Sequence, residues 1–140
     1  MNNLAGLLES QGDYASAKPL YERALAIREQ VLGPTHPDTA QSLNNLAALL
    51  ESQGDYASAK PLYERALTIL EQVLGPTHPD TASSLHNLAG LLASQGDYAT
   101  AKPLLERALV ICEMHFGVEY PTTQTIRATL TALNASSTAP

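Results

Sequence analysis

The sequence predicts an all-α fold: a right-handed superhelical solenoid of stacked antiparallel helix pairs, closed by a C-terminal capping helix. Three observations carry the prediction. First, a 42-residue period runs through the chain. Residues 2–43 and 44–85 differ only at Gly6/Ala48, Ala26/Thr68, Arg28/Leu70 and Gln41/Ser83, so 38 of 42 positions are identical. Residues 86–127 match 44–85 at 24 of 42, and eight of the mismatches fall after Gly117. Second, each unit carries two apolar stripes of helical spacing, separated by Gln-Gly-Asp. Third, a lone helical hairpin cannot bury its own stripe, so units of this kind are stable when stacked.

Taken in order, residues 1–36 make a first repeat whose helix A is cut short, because Met1 aligns with Leu43. Residues 37–78 and 79–120 make the second and third repeats, 121–134 the capping helix, and 135–140 a disordered Ser/Thr/Ala tail. In helix A of the second repeat, Leu43, Leu46, Ala47 and Leu50 recur at i, i+3, i+4 and i+7. Gly54 suits a left-handed C-terminal cap and Asp55 the next N-cap. Helix B is expected over about Tyr56–Leu74, facing inward with Ala59, Leu62, Tyr63, Ala66, Ile69, Leu70 and Val73. Gly75 stops it, Pro79 fits the first turn of the next helix, and Asp80 complements that helix's positive end. Pro19, Pro61 and Pro103 sit about six residues into each helix B, which implies either a tolerated kink or a later start. In the capping helix Ile126, Leu130 and Leu133 form the stripe, while Arg127 and Thr131 replace apolar positions of earlier copies.

The pattern Leu43-x2-Leu46-Ala47-x2-Leu50, Gly54, Tyr56, Ala59-x3-Tyr63 and Ala66 resembles the tetratricopeptide repeat. Leu stands where that family usually has Trp, and Glu71 where it has a closing Pro. The 42-residue period and the strings LNNLA, YERAL and LGPTHPDTA are similar to the long variant in kinesin light chains and bacterial arrays of that type. The resemblance implies a non-enzymatic protein–protein interaction scaffold whose A helices line a concave groove.

With Leu43 at zero and about 100° per residue, Asn44 falls near 100° with Ala48 and Glu51, and Asn45 near 200°, both away from the core. In stacked copies this predicts an Asn ladder on the groove floor: Asn2 and Asn3, Asn44 and Asn45, His86 and Asn87. The small residues Gly6, Ala48 and Gly90 lie between its rungs, with Glu9, Gln41, Glu51 and Ser83 beside them. An Asn amide offers both a donor and an acceptor, matching the two groups of a peptide unit. The ladder therefore suits an extended peptide or a helical segment, and Asn3, Asn45 and Asn87 are the favoured backbone contacts. The competing expectation is that these amides bond each other or water, and that Glu9 and Glu51 are simply solvated.

Charge narrows the partner. The net charge is −6, with eight Lys and Arg: Lys18, Arg23, Arg28, Lys60, Arg65, Lys102, Arg107 and Arg127. Seven fall on helix B and one on the capping helix, so the cations of a carboxylate clamp are missing from helix A. The expected ligand is neutral or basic; nucleic acid and membrane are not expected partners. The uncapped N-terminal half-repeat offers an apolar edge for head-to-tail stacking or helix exchange, hence a homo-oligomer or a piece of a longer array. A structural or self-associating role without a dedicated peptide is therefore the alternative function.

No catalytic, metal or cofactor site is expected. His36 and His78 occupy equivalent loops, each without a second ligand beside it. Cys112 reads as a buried structural thiol and His115 as a partly buried packing residue, with no oxyanion site or orienting acid to make them a nucleophile pair. Without a secretory h-region or an apolar run of spanning length, a cytoplasmic location is expected, and the Asn134-Ala-Ser triplet is read as chance.

Overall fold

A computed structural model describes residues 2–138, with side chains from Leu4 to Ala135. The described residues form seven α-helices and no strand: α1 (Asn2–Ser10), α2 (Tyr14–Leu32), α3 (Pro37–Ser52), α4 (Tyr56–Val73), α5 (Pro79–Ser94), α6 (Tyr98–Phe116) and α7 (Pro121–Thr138). They fall into two compact units, Met1–Val73 and Leu74–Pro140. In the first, α1 packs on α2, α2 on α3 and α3 on α4; in the second, α5 packs on α6 and α6 on α7.

Each turn is built by the residues that repeat. After α3, Gly54 takes a φ of +80°, a left-handed conformation that costs glycine little. Its N–H then reaches the Glu51 carbonyl at 2.9 Å, and the Asp55 N–H reaches Leu50 at 2.8 Å, the paired bonds of a Schellman cap. Asp55 also starts α4, its carboxylate accepting from the Ser58 N–H at 3.2 Å. One tripeptide thus ends one helix and begins the next.

The longer loop between repeats is closed differently. Pro37 and Pro79 are the first residues of α3 and α5. The N-caps are His36 and His78, whose Nδ1 atoms accept from the N–H of Asp38 and Asp80 at 3.0 Å. These histidines are therefore half-buried structural caps rather than idle loop residues. Thr39 and Thr81 donate to the carbonyls of Gly33 and Gly75 at 2.8 Å, tying each helix start to the preceding helix end. In the last copy Val118-Glu119-Tyr120 replaces Pro-Thr-His, and Thr123 Oγ1 is buried without a partner.

The inward set holds with three corrections. Leu43, Leu46, Ala47 and Leu50 are buried, as are Ala59, Tyr63, Ala66, Ile69 and Leu70. Leu49 is also fully buried, because α3 packs on both α2 and α4 and so needs a wider apolar stripe. Leu67 is buried, whereas Val73, in the final turn of α4, is 51% exposed. The three prolines lie inside continuous helices that begin at Tyr14, Tyr56 and Tyr98, which rules out a later start. Each leaves the carbonyl four residues earlier without its helical N–H, and those residues, Ala15, Ala57 and Ala99, are exposed to water.

At the C-terminal end α7 buries Ile126 and Leu133, and Arg127 donates to Glu113 of α6 at 2.6 Å. The helix continues through residues 135–138, where the sequence reading places a disordered tail; residues 139–140 lie outside the described part.

Candidate functional site

The face of the A helices is polar but carries no cation. Neither α1, α3 nor α5 contains a Lys or Arg. In the first unit its acidic residues are held from below. Tyr21 of α2 donates to Glu9 Oε2 at 2.7 Å, and Tyr63 of α4 donates to Glu51 Oε1 at 2.9 Å. Glu9 and Glu51 are thus oriented carboxylates, not freely solvated ones. Each keeps a second oxygen, and among the described residues no Lys, Arg or His pairs with either.

The phenols show how dry the lower half of this arrangement is. Tyr21 and Tyr63 are 6% and 2% exposed. Burial first, then the hydrogen bond and charge of Glu9, push Tyr21 up to about 12. Tyr63 is raised as well, by burial, by the charge and hydrogen bond of Glu51, and by the field of Glu9. Both phenols stay protonated donors at neutral pH. The third repeat replaces both members of the pair, with Ala93 for Glu51 and Leu105 for Tyr63. Removing both polar partners together avoids stranding either one.

Around these carboxylates the expected residues separate. Asn44 is half-buried and its Oδ1 is buried without a partner. Asn45 is half-buried and Asn87 exposed, and neither has a hydrogen bond among the described residues. Among the described residues no hydrogen bond joins one of these amides to another. Asn2 and Asn3 have side chains outside the described residues. Asn44, Asn45, Ala48 and Glu51 belong to the first unit, as do Gly6 and Glu9; Ser83, His86, Asn87 and Gly90 belong to the second. Gly6 lies beside the Glu9–Tyr21 pair, since a Cβ there would be 3.8 Å from the Tyr21 hydroxyl, while a Cβ on Gly90 would meet nothing. His86 is half-buried, and that burial lowers its pKa, favouring the neutral ring.

The Gln41 side chain is exposed, and its amide oxygen takes a hydrogen bond from Arg28. Arg28 reaches from α2 to the first turns of α3, donating to the Asp38 carbonyl at 2.9 Å, Ser42 Oγ at 3.0 Å and Gln41 Oε1 at 3.4 Å. The next copy has Leu70 and Ser83 at the positions of Arg28 and Gln41. There Ser83 turns back on the Pro79 carbonyl at 3.4 Å, and Ser84 Oγ is buried without a partner.

The residues with the most reactive chemistry have structural surroundings. Cys112 is 3% exposed and burial pushes its thiol pKa up. His115 is exposed rather than packed, its Nε2 lying 2.8 Å from the Thr77 carbonyl. Among the described residues no cluster of His, Cys, Asp and Glu can hold a metal, and no helix is long and apolar enough to cross a membrane.

Stacked helix pairs, Schellman turns and a repeated polar A-helix face define the class. The chain belongs to the tetratricopeptide repeat family, whose model matches residues 1–72 and 52–114. Repeats of this family typically mediate protein–protein interactions and are generally non-enzymatic. Among solved structures it is similar to the nearly identical TPR-like repeats of a Podosopora anserina protein assigned as a kinesin light chain. That match has 26% identity and a TM-score of 0.88 over 94% of this chain and 63% of the other. It is also similar to BtubC (BKLC) from P. vanneervenii, at 28% identity and a TM-score of 0.88 over 97% of this chain and 54% of that one. The chain therefore spans less than two thirds of the length of these relatives. The Yersinia enterocolitica type III secretion translocator chaperone SycD, at 17% identity and a TM-score of 0.73 over 99% of this chain and 83% of that one, shares the fold alone. No curated protein matches the sequence.

Proposed function

We propose that the chain is an interaction module that holds a neutral or basic segment of a partner protein on the face of its A helices. The observation that carries this reading is the pair of oriented, unneutralised carboxylates. Glu9 and Glu51 each have one oxygen fixed by a buried phenol and another left over, on helices with no Lys or Arg. A Lys or Arg side chain brought there gains a charge-assisted hydrogen bond to a carboxylate already held in place. An acidic side chain brought to Glu9 or Glu51 is repelled. Asn45, in the same unit, supplies an amide without a hydrogen bond among the described residues, able to take the N–H and C=O of an extended backbone whatever its sequence.

The test is selection of peptides from a random library on the immobilised chain, followed by titration on Asn44→Ala/Asn45→Ala and Glu9→Gln/Glu51→Gln variants. The reading expects neutral or Lys/Arg-containing winners that lose most of their affinity on the first variant. Basic winners are expected to weaken on the second. Acidic winners, or equal binding to all three proteins, would refute it.

A further inference from the structure

Each helix B carries an outer row of exposed residues, and the third copy changes its chemistry. On α2 the row holds Ala26 and Gln30, and on α4 Thr68 and Gln72, all exposed; on α6 it holds Val110 and Met114. These two are 60% and 61% exposed. The openness belongs to the position, since Ala26 and Gln30 are exposed although α3 and α4 follow α2 within the same unit. In the second copy Thr68 donates its hydroxyl to the Glu64 carbonyl at 3.0 Å, a bond that Val110 cannot make. Water therefore meets two large apolar side chains one helical turn apart, where the other copies offer Ala, Thr and Gln. Val110 also borders an open cavity. Pro76 and Thr77, in the loop before α5, line about 390 Å³ together with Glu106, Arg107, Val110 and Ile111 of α6. The loop wall is tied in place by His115, which donates from Nε2 to the Thr77 carbonyl at 2.8 Å. On the rim, Arg107 already has an interaction of its own, whereas Glu106 is exposed without a hydrogen bond or ion pair among the described residues.

We propose that this row is a second docking site, which takes a basic amphipathic helix of a partner protein. Glu106, Val110 and Met114 stand at i, i+4 and i+8, in one line along the outer side of α6. The complementary helix presents a Lys or Arg and two apolar side chains, also about a turn apart. Its cation meets Glu106, the rim charge left without a partner. Its middle side chain enters the cavity beside Val110, and the last covers Met114, whose flexible thioether adapts to it. The pre-formed wall lowers the cost of ordering on binding. Because the apolar row runs out of the cavity as far as Met114, a protein segment covers it better than a compact small molecule. A second copy of the chain brings the same row and the same net charge of −6, so charge opposes that pairing. The site lies on helix B and uses none of Glu9, Asn45 and Glu51.

The probes are short helical peptides from a displayed library randomised along one face, selected on the full chain after depletion on Val110→Thr/Met114→Gln. That variant restores the residues of the second repeat at exposed positions, so it keeps its helical circular dichroism. Selected peptides should carry two apolar side chains and a Lys or Arg in one row. By fluorescence anisotropy they should bind the depleting variant at least tenfold more weakly than the unaltered chain. Glu106→Gln should also weaken them, while Glu9→Gln/Glu51→Gln leaves them unchanged, which separates this site from the A-helix face. Three results would overturn the proposal. One is that no peptide prefers the unaltered chain to Val110→Thr/Met114→Gln. Another is selected peptides with Asp or Glu in place of the cation, or indifferent to Glu106→Gln. The third is a dimer in light scattering that Val110→Thr/Met114→Gln dissolves, which assigns the row to a second copy.

Discussion

Replacing Tyr63 by Phe removes one oxygen atom, and the structure says what that oxygen does. It donates at 2.9 Å to Glu51 from a ring that is 2% exposed. Hydrogen bonds to charged groups contribute about 1.5–3 kcal/mol when both partners are dry. Glu51 is half-buried and water can replace part of the lost bond, so Tyr63→Phe should cost about 1 kcal/mol. Glu51→Ala should cost more, about 1–3 kcal/mol, because it takes the acceptor from a hydroxyl whose ring is 2% exposed. The double variant has neither an orphaned donor nor an unpaired acceptor. Its cost should therefore fall short of the sum of the single costs by about 1–2 kcal/mol. Thermal and urea unfolding followed by circular dichroism measure all three, at roughly 3–5 °C per kcal/mol for a chain of this size. Additivity within about 0.3 kcal/mol would refute the reasoning. The third repeat already carries the paired exchange in Ala93 and Leu105, the latter fully buried.

The remaining predictions concern caps, turns and alkali. His78→Ala should destabilise the start of α5 by about 1 kcal/mol, seen as faster amide exchange in residues 80–82, and His78→Asn should restore most of it. Gly54→Ala forces an L residue to a φ of +80° and should lower stability by about 1 kcal/mol in urea unfolding. The raised phenol of Tyr21 contributes stability fully present below the unfolded value of about 10 and lost as pH rises through its folded value of about 12. Stability should accordingly fall by on the order of 2 kcal/mol across that window, and Tyr21→Phe should flatten the fall.

Much of the architecture was legible because it is local and repeated. Gly54 and Asp55 announce the turn, Pro79 the helix start, and Leu43, Leu46 and Ala47 the core face. What escaped the sequence depends on contacts made across the helix pair. Glu51 and Tyr63 are twelve residues apart on different helices, so an angular count along α3 alone leaves Glu51 as a surface carboxylate. Their joint replacement by Ala93 and Leu105 was the available signal. His78 was hidden for another reason: an imidazole cap before Pro79 shows only when the loop places Nδ1 over the Asp80 N–H. A single stripe per helix leaves out Leu49 and takes in Val73, because it ignores packing on two sides of α3 and the open last turn of α4.

The central claim is that the A-helix face favours a neutral or basic segment. The most direct measurement is titration of the chain with a library-selected peptide in three matched forms, carrying Lys, Gln or Glu at one position, at low and high salt. The account predicts affinity in the order Lys, Gln, Glu, with the spread between Lys and Glu shrinking as salt rises and on Glu9→Gln/Glu51→Gln. Tighter binding of the Glu form than of the Gln form would contradict it.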